Sequence, residues 1–217
     1  MFSKSEAGER FAAVFSDKEG KAAPVVVIDA GHGGADPGKV GQSGTLEKEI
    51  NLSLALKLRE YLERDGIQVV LTRETDDGLY SAGAQNKKRE DMAARVRIIS
   101  EVQPELVVSI HQNSYPTAEC KGAQMFYYKG SEESRQLAEL LQTTFLEVLQ
   151  DGNKRQAKEN AEYYLLRKTA CPIVIAECGF LSNPSEEALL KTEEYQEKVA
   201  EALYLGIKQY ILEKTEQ

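Results

Sequence analysis

Short runs of consecutive apolar residues alternate along this chain with longer stretches in which apolar residues recur every three or four positions. The runs at residues 25–28, 106–110 and 173–176 are almost entirely aliphatic, which is typical of strands buried on both faces of a sheet. The intervening stretches have the period and the length of α-helices. Strands that alternate with such helices predict an α/β fold of three layers, in which helices cover both faces of a mostly parallel, twisted sheet of about six strands.

This periodicity also predicts the individual elements. Strands are expected at the three aliphatic runs, at 67–71 and, half exposed, at 124–128. Asn183, Pro184 and Glu186 suit the N-cap, N1 and N3 positions of a short helix. The apolar stripes of four longer helices are Ile50, Leu54, Leu58 and Tyr61; Met92, Val96 and Ile99; Leu137, Leu141, Phe145 and Leu149; and Tyr195, Val199, Leu203 and Tyr210.

Length and composition favour a single domain. The chain has 217 residues, of which 41% are hydrophobic and 29% are charged, an ordinary globular mixture. No apolar stretch approaches the roughly 18–20 residues that span a bilayer. We expect one domain at 24–214, preceded at 1–23 by a charged lead-in that we interpret as the remnant of a linker or anchor.

Charge and cysteine content argue against two common classes of protein. The 27 basic and 35 acidic residues give a net charge of −8, whereas proteins that bind nucleic acid present a basic surface. The three cysteines have neither metal-finger spacing nor the even count of a disulfide-stapled miniprotein. We expect buried thiols at Cys120, Cys171 and Cys178.

The polar residues that follow the aliphatic runs are the main candidates for chemistry. Asp29 and His32 follow the first run, His111 follows the second, and Glu177 follows the third. The carboxyl ends of neighbouring parallel strands meet at one edge of a sheet, where such folds place their sites. The two histidines of the chain therefore hold equivalent positions, and we expect them to converge with an acid.

Two histidines and a carboxylate form an established ligand set of catalytic zinc, which keeps a fourth position for water. Spacing leaves the carboxylate open among Asp36, Glu47, Glu49 and Glu177. In the structural alternative, each histidine caps a strand and Glu177, which is costly to bury alone, pairs with an arginine such as Arg95. The joint placement of the candidates favours the metal site.

A phosphate-binding loop and a serine nucleophile are weaker alternatives. Residues 33–39 match G-x-x-x-x-G-K, but Val40 replaces the hydroxyl residue of that motif, and no helical period begins at Lys39. Ser109 lies two residues before a histidine, yet the chain has no G-x-S-x-G elbow. Neither a nucleotide hydrolase nor a serine hydrolase is favoured.

Six motifs extend across about residues 24–212 and are specific in combination. In chain order they are VIDAGHGGADPG, LEKEINL, LTRETD, SIHQNS, GAQMFYY and IVIAECGFLSNPSE. Together they resemble the zinc-dependent N-acetylmuramoyl-L-alanine amidases of bacterial cell-wall turnover (amidase type 3). The segments REDMAARVRIIS and GAQMFYYKG are most similar to the spore-cortex, germination-specific branch of that family.

The resemblance implies a role for each candidate side chain. His32, Glu47 and His111 match the ligands of a Zn²⁺ ion, and Glu177 matches the catalytic acid/base. It also implies side chains that support the imidazoles from behind. The candidates for that supporting role are Asp29, Asn113 and Arg95.

The resemblance further implies a reaction, partners and a location. A zinc-dependent hydrolase would cleave the amide bond between the lactyl group of N-acetylmuramic acid and the L-alanine of the stem peptide in peptidoglycan, in spore-cortex maturation. The alternative is a zinc-containing module that binds peptidoglycan without cutting it. A lipoprotein activator or a homodimer is expected, and so is action outside the cytoplasm (cell wall or forespore intermembrane space), with the export signal or anchor missing from this chain.

Overall fold

Strands and helices alternate along residues 23–216, which are the residues that the computed structural model describes. The expected lead-in at 1–23 lies, apart from its last residue, outside them. The strands are β1 (Val25–Ala30), β2 (Gln68–Leu71), β3 (Leu106–Asn113), β4 (Gln124–Tyr128), β5 (Lys158–Asn160) and β6 (Ile173–Phe180). The helices are α1 (Glu47–Arg64), α2 (Lys87–Val102), α3 (Glu132–Leu149), α4 (Tyr164–Lys168), α5 (Pro184–Leu190) and α6 (Glu193–Thr215).

The six strands form one sheet in the order β2-β1-β3-β6-β4-β5. Pairing is parallel throughout except between β4 and β6, which run antiparallel. The three aliphatic runs occupy the neighbouring strands β1, β3 and β6, which are buried along almost their whole length. This confirms the predicted α/β class with its mostly parallel sheet of six strands.

Alternate residues of the central strands pack against helices on opposite faces of the sheet. Val26 and Val108 belong to a buried cluster with the apolar stripes of α1, α3 and α6. Val27 and Val107 point the other way, into a smaller cluster with residues of α2 and α4. Because successive side chains of a strand alternate between faces, the same strands hold both helix layers, and the three-layer prediction is confirmed.

The observed elements differ from the predicted ones in two respects. The strand β5 and the helix α4 were not predicted, since each has only three to five residues and lacks a periodic apolar pattern. The strands β3 and β6 continue past their aliphatic runs to Asn113 and Phe180. His111 and Glu177 therefore lie within strands rather than after them, and they are paired in register with one another.

The predicted cap of α5 is confirmed, whereas the predicted burial of Tyr61, Cys120 and Cys171 is wrong. The Asn183 side chain caps α5 by accepting hydrogen bonds from the backbone N–H groups of residues 185 and 186. Tyr61 is half-buried, and Leu62 takes the core position instead. The cysteines are free thiols, but only Cys178 is fully buried, whereas the other two are half-buried. None of the described helices combines the length and apolarity needed to cross a membrane.

Candidate metal centre

Two neighbouring parallel strands bring the histidines together. His111 lies in β3, and His32 follows β1 in a turn, where it adopts a left-handed backbone conformation with φ of 63°. The ring centroids are 4.9 Å apart, with planes at 82°. Gly31 makes this approach possible, since a Cβ atom there would lie 2.4 Å from Nε2 of His111. The turn after β1 thus holds one imidazole beside the other.

Glu47, the first residue of α1, lies between the two imidazoles. Its Oε2 atom is 3.1 Å from Nε2 of His32, and its Oε1 atom is 2.9 Å from Nδ1 of His111. The carboxylate is fixed by backbone N–H groups, because Lys39 donates to Oε2 at 2.7 Å and Gln112 to Oε1 at 3.1 Å. One ligand atom from each of the three side chains lies within 4.8 Å of the others.

The other carboxylates considered for this position lie elsewhere. Glu49 is exposed on α1. Asp36 contacts the far side of the His32 ring, with its Oδ2 atom 3.0 Å from Nδ1. A carboxylate in that position orients a metal-binding imidazole and leaves Nε2 free for the ion. The structure therefore gathers His32, Glu47 and His111 and places Asp36 behind them.

The charge state of Glu47 suits a cation. Burial by itself would raise the pKa of Glu47, but hydrogen bonds from His111 and His32 hold it well below its usual range. Burial acts to lower the pKa of His111, and the Glu47 carboxylate outweighs it, so that the pKa is raised. The carboxylate is therefore ionised at neutral pH. Two imidazole nitrogens and one carboxylate oxygen fit the donor set of catalytic zinc.

Glu177 lies beside the cluster on β6 and is only 7% exposed. Burial is the main reason that its pKa is raised to about 7, with a further contribution from Glu47 and an opposing one from His111. Its Oε1 atom accepts a hydrogen bond of 3.4 Å from the Tyr163 hydroxyl. Its Oε2 atom is buried and has no hydrogen-bond partner among the described residues. Such a carboxylate can exchange a proton near neutral pH.

Among the described residues, none of the expected supporting side chains forms a hydrogen bond with an imidazole ring. Arg95 pairs with Asp29 and Asp91, both at 2.5 Å, so the alternative in which it neutralises Glu177 is wrong. Asp29 also accepts hydrogen bonds from the hydroxyls of Thr72 and Ser109. Burial opposes ionisation of Asp29, but Arg95 and these hydroxyls lower its pKa to about 2.

Asn113 also lies away from the histidine rings. Its Oδ1 atom accepts a hydrogen bond from the N–H group of Ser114. Within residues 23–216, no hydrogen bond joins the side chain of Asp29 or Asn113 to an imidazole. The supporting carboxylate of His32 is Asp36, which the sequence offered only as a ligand.

The cluster opens into a cavity of about 640 Å³. His32, Glu47, His111 and Glu177 all line it, as does Tyr163 at the start of α4. A cavity of this size accommodates a peptide-sized or sugar-sized ligand. The four side chains can therefore act on one ligand in a common space.

The phosphate-loop alternative does not fit this geometry. The backbone N–H groups of Gly38 and Lys39 point to carboxylates, of Asp36 and Glu47 respectively. A phosphate would need those donors and would meet two negative charges. The residues that resemble the phosphate motif serve instead to hold Glu47.

Comparison with known proteins identifies the family. The N-acetylmuramoyl-L-alanine amidase family model matches residues 26–209. The germination-specific N-acetylmuramoyl-L-alanine amidase of Bacillus subtilis is 39% identical over 193 residues, which are 88% of this chain and 81% of the relative.

Solved structures of amidases have the same fold. The CwlD amidase from Clostridioides difficile, solved in complex with the GerS lipoprotein, is 41% identical with a TM-score of 0.85, covering 87% of this chain and 98% of that one. The catalytic domain of the amidase CwlV from Bacillus (Paenibacillus) polymyxa var. colistinus is 33% identical with a TM-score of 0.76, covering 87% and 98%. The chain thus belongs to the N-acetylmuramoyl-L-alanine amidase family and is a hydrolase of cell-wall peptidoglycan, as the sequence motifs predicted.

Proposed function

We propose that this amidase uses one Zn²⁺ ion, held by His32, Glu47 and His111, together with Glu177 as the acid/base. The bond cleaved would join the lactyl group of N-acetylmuramic acid to the L-alanine of the stem peptide. The observation that carries the proposal is the convergence of two imidazole nitrogens and one carboxylate oxygen within 4.8 Å, beside a buried acid with an unpaired oxygen. Residues 24–214 would form the single catalytic domain.

Each protein group would have a defined part in the reaction. When bound, zinc polarises an amide carbonyl and lowers the pKa of a bound water to about 7. Glu177 would accept a proton from the attacking water at Oε2, the buried oxygen that has no hydrogen-bond partner among the described residues. It would then return that proton to the departing amine, which is a poor leaving group while unprotonated. Tyr163 would keep the carboxylate oriented through Oε1.

The relatives support a location and a partner for this activity. The germination-specific relative supports a role in the spore cortex, and hence action outside the cytoplasm, in the cell wall or the forespore intermembrane space. The structural relative bound to a lipoprotein supports a lipoprotein activator for this chain as well. A homodimer is the other assembly that we propose, and size measurement with and without such a lipoprotein would separate the two.

Replacement of the acid tests the reaction. We expect Glu177→Gln to release no stem peptides from purified peptidoglycan, while it binds one zinc ion per chain as the unchanged protein does. Tyr128→Phe, at an exposed tyrosine that does not line the cavity, is the control and is expected to retain activity. Equal peptide release by Glu177→Gln would refute the assigned role. Binding of peptidoglycan without cleavage by the unchanged protein would support the non-catalytic module instead.

A further inference from the structure

The backbone of His32 is held in an unusual conformation. Its φ of 63° lies in the left-handed region, which is unfavourable for residues with a side chain. Among the described residues, the two other non-glycine cases are Gln103 and Gln150. Both are C-cap residues of helices, where this conformation is common. His32 has no such local reason, and its conformation requires other contacts to maintain it.

Two buried arginines contact the three consecutive carbonyl groups of this turn. Arg95 donates from Nη1 to the carbonyl oxygen of Ala30 at 2.9 Å and from Nη2 to that of His32 at 2.6 Å. Arg73 donates from Nε to Ala30 at 2.9 Å and from Nη2 to the carbonyl oxygen of Gly31 at 3.1 Å. We call Arg73 and Arg95 the arginine clamp. The clamp binds every carbonyl of residues 30–32.

The arginine clamp also joins the turn to the element that carries the third candidate ligand. Nη2 of Arg73 donates to the carbonyl oxygen of Lys48 at 2.7 Å, and Lys48 adjoins Glu47 in the first turn of α1. One guanidinium thus contacts the backbone beside both His32 and Glu47. Arg73 is 4% exposed and Arg95 is 2% exposed. The hydrogen bonds of both guanidinium groups are therefore shielded from water.

The clamp is in turn anchored by the segment that follows β2. Asp91, in α2, accepts a hydrogen bond from Nε of Arg95 with its Oδ1 atom. Its Oδ2 atom accepts a hydrogen bond of 2.8 Å from the N–H group of Leu79. The Tyr80 hydroxyl accepts a hydrogen bond of 2.7 Å from the N–H group of Ala35, beyond the turn. The segment around residues 79–80, whose role the sequence did not indicate, therefore supports both the clamp and the loop after β1 that carries His32.

We propose that Arg73 and Arg95 are positioning residues that preorganise the metal centre, by fixing the left-handed turn of His32 relative to Glu47. The inference rests on the metal site of the proposed function but not on its reaction. The proposal predicts that metal affinity depends on guanidinium geometry, since Arg73 donates from three separate nitrogens to four carbonyl oxygens, whereas a lysine has all its donors on one nitrogen. A lysine at either position keeps the charge and loses that reach.

The test compares Arg73→Lys and Arg95→Lys with Arg97→Lys, a control on the exposed face of α2. The dissociation constant for zinc is measured against a chromophoric chelator, and the visible absorption spectrum of the Co²⁺-substituted protein reports coordination geometry. The unfolding temperature of the metal-free protein is measured in parallel. We expect both clamp variants to bind zinc at least tenfold more weakly, the usual effect of removing an outer hydrogen bond from a metal site, with altered Co²⁺ bands. The control is expected to stay within twofold.

Arg73→Lys keeps the test decisive if Arg95→Lys fails to fold, because Arg73 donates only to carbonyl oxygens and leaves no carboxylate without its partner. Folded clamp variants with zinc affinity within twofold of the unchanged protein, and a lower unfolding temperature alone, would overturn the inference and leave the proposed function intact. An unchanged protein that binds no zinc would overturn both. Loss of activity without loss of affinity would also contradict the inference.

Discussion

At Gly38 the backbone passes so close to the ligands that a Cβ atom would lie 2.5 Å from Oε2 of Glu47 and 2.7 Å from Cδ2 of His32. Gly31 has the same relation to the ring of His111. At the scale of single residues, the centre therefore depends on glycines as much as on its ligands. The positive φ of His32 belongs to the same tight packing.

This close approach predicts that Gly38→Ala impairs the metal centre specifically. The new methyl group must displace Glu47 or His32, and we expect zinc affinity and amidase activity to fall at least tenfold. Gly44→Ala is the matched control, since Gly44 also has a positive φ, of 87°, but a Cβ there meets nothing within 4 Å. The control should lose about 1 kcal/mol of stability through backbone strain and keep its zinc. Equal zinc affinity of the two variants, measured by chelator competition, would contradict this account.

The buried pair of Asp29 and Arg95 predicts a pH dependence of stability. Folding lowers the pKa of Asp29 from 3.8 to about 2, so its stabilisation is complete above pH 4 and is lost as the pH falls towards 2. The full effect is about 2 kcal/mol, of which roughly half is lost by pH 3. The difference in unfolding free energy between the unchanged protein and Asp29→Asn should therefore shrink by about 1 kcal/mol between pH 6 and pH 3 in urea titrations. A constant difference would show that Asp29 does not titrate as proposed.

At the scale of elements, the short helix α4 illustrates what sequence patterns miss. It has five residues and no apolar period of its own, yet its N-cap residue Tyr163 places a hydroxyl on Glu177. By contrast, the long helices and the central strands could be predicted from their apolar patterns. Apolar residues recur once per turn in the long helices and occupy consecutive positions in the central strands. Short elements depend on contacts between distant parts of the chain, which no local pattern records.

The contact from α4 predicts a shift in the pH profile of activity. The hydroxyl of Tyr163 lowers the pKa of Glu177 and thereby partly offsets burial, which raises it to about 7. In Tyr163→Phe the carboxylate should ionise at higher pH, so the acidic limb of kcat/KM should move to higher pH, and activity near pH 6 should fall a few-fold. Because the contact is long, at 3.4 Å, a larger effect is not expected. Tyr128→Phe, away from the cavity, is the control, and an unmoved acidic limb in Tyr163→Phe would argue against this contact.

At the scale of the whole molecule, the strand order explains why His32, His111 and Glu177 could be predicted from the sequence as one site. The neighbours β1, β3 and β6 bring His32, His111 and Glu177 to one edge of the sheet, and general rules for parallel sheets predict that edge as the site. The choice of Glu47 needed the family resemblance, since spacing alone left several acids open. Arg95 was among the predicted supporting residues, but its contact with the backbone of His32, the part played by Arg73 and the position of Asp36 could not be predicted, because they depend on how the loops after β1 and β2 fold against each other.

The most direct test of the metal centre is anomalous X-ray diffraction from crystals of the zinc-loaded protein, recorded at the zinc absorption edge. We expect one strong peak per chain, about 2 Å from Nε2 of His32, Nδ1 of His111 and a carboxylate oxygen of Glu47, with the remaining coordination position directed towards Glu177. The same crystals of Glu47→Gln should show a much weaker peak. The absence of a peak among these three side chains, or a peak elsewhere in the molecule, would show that they do not form the zinc site.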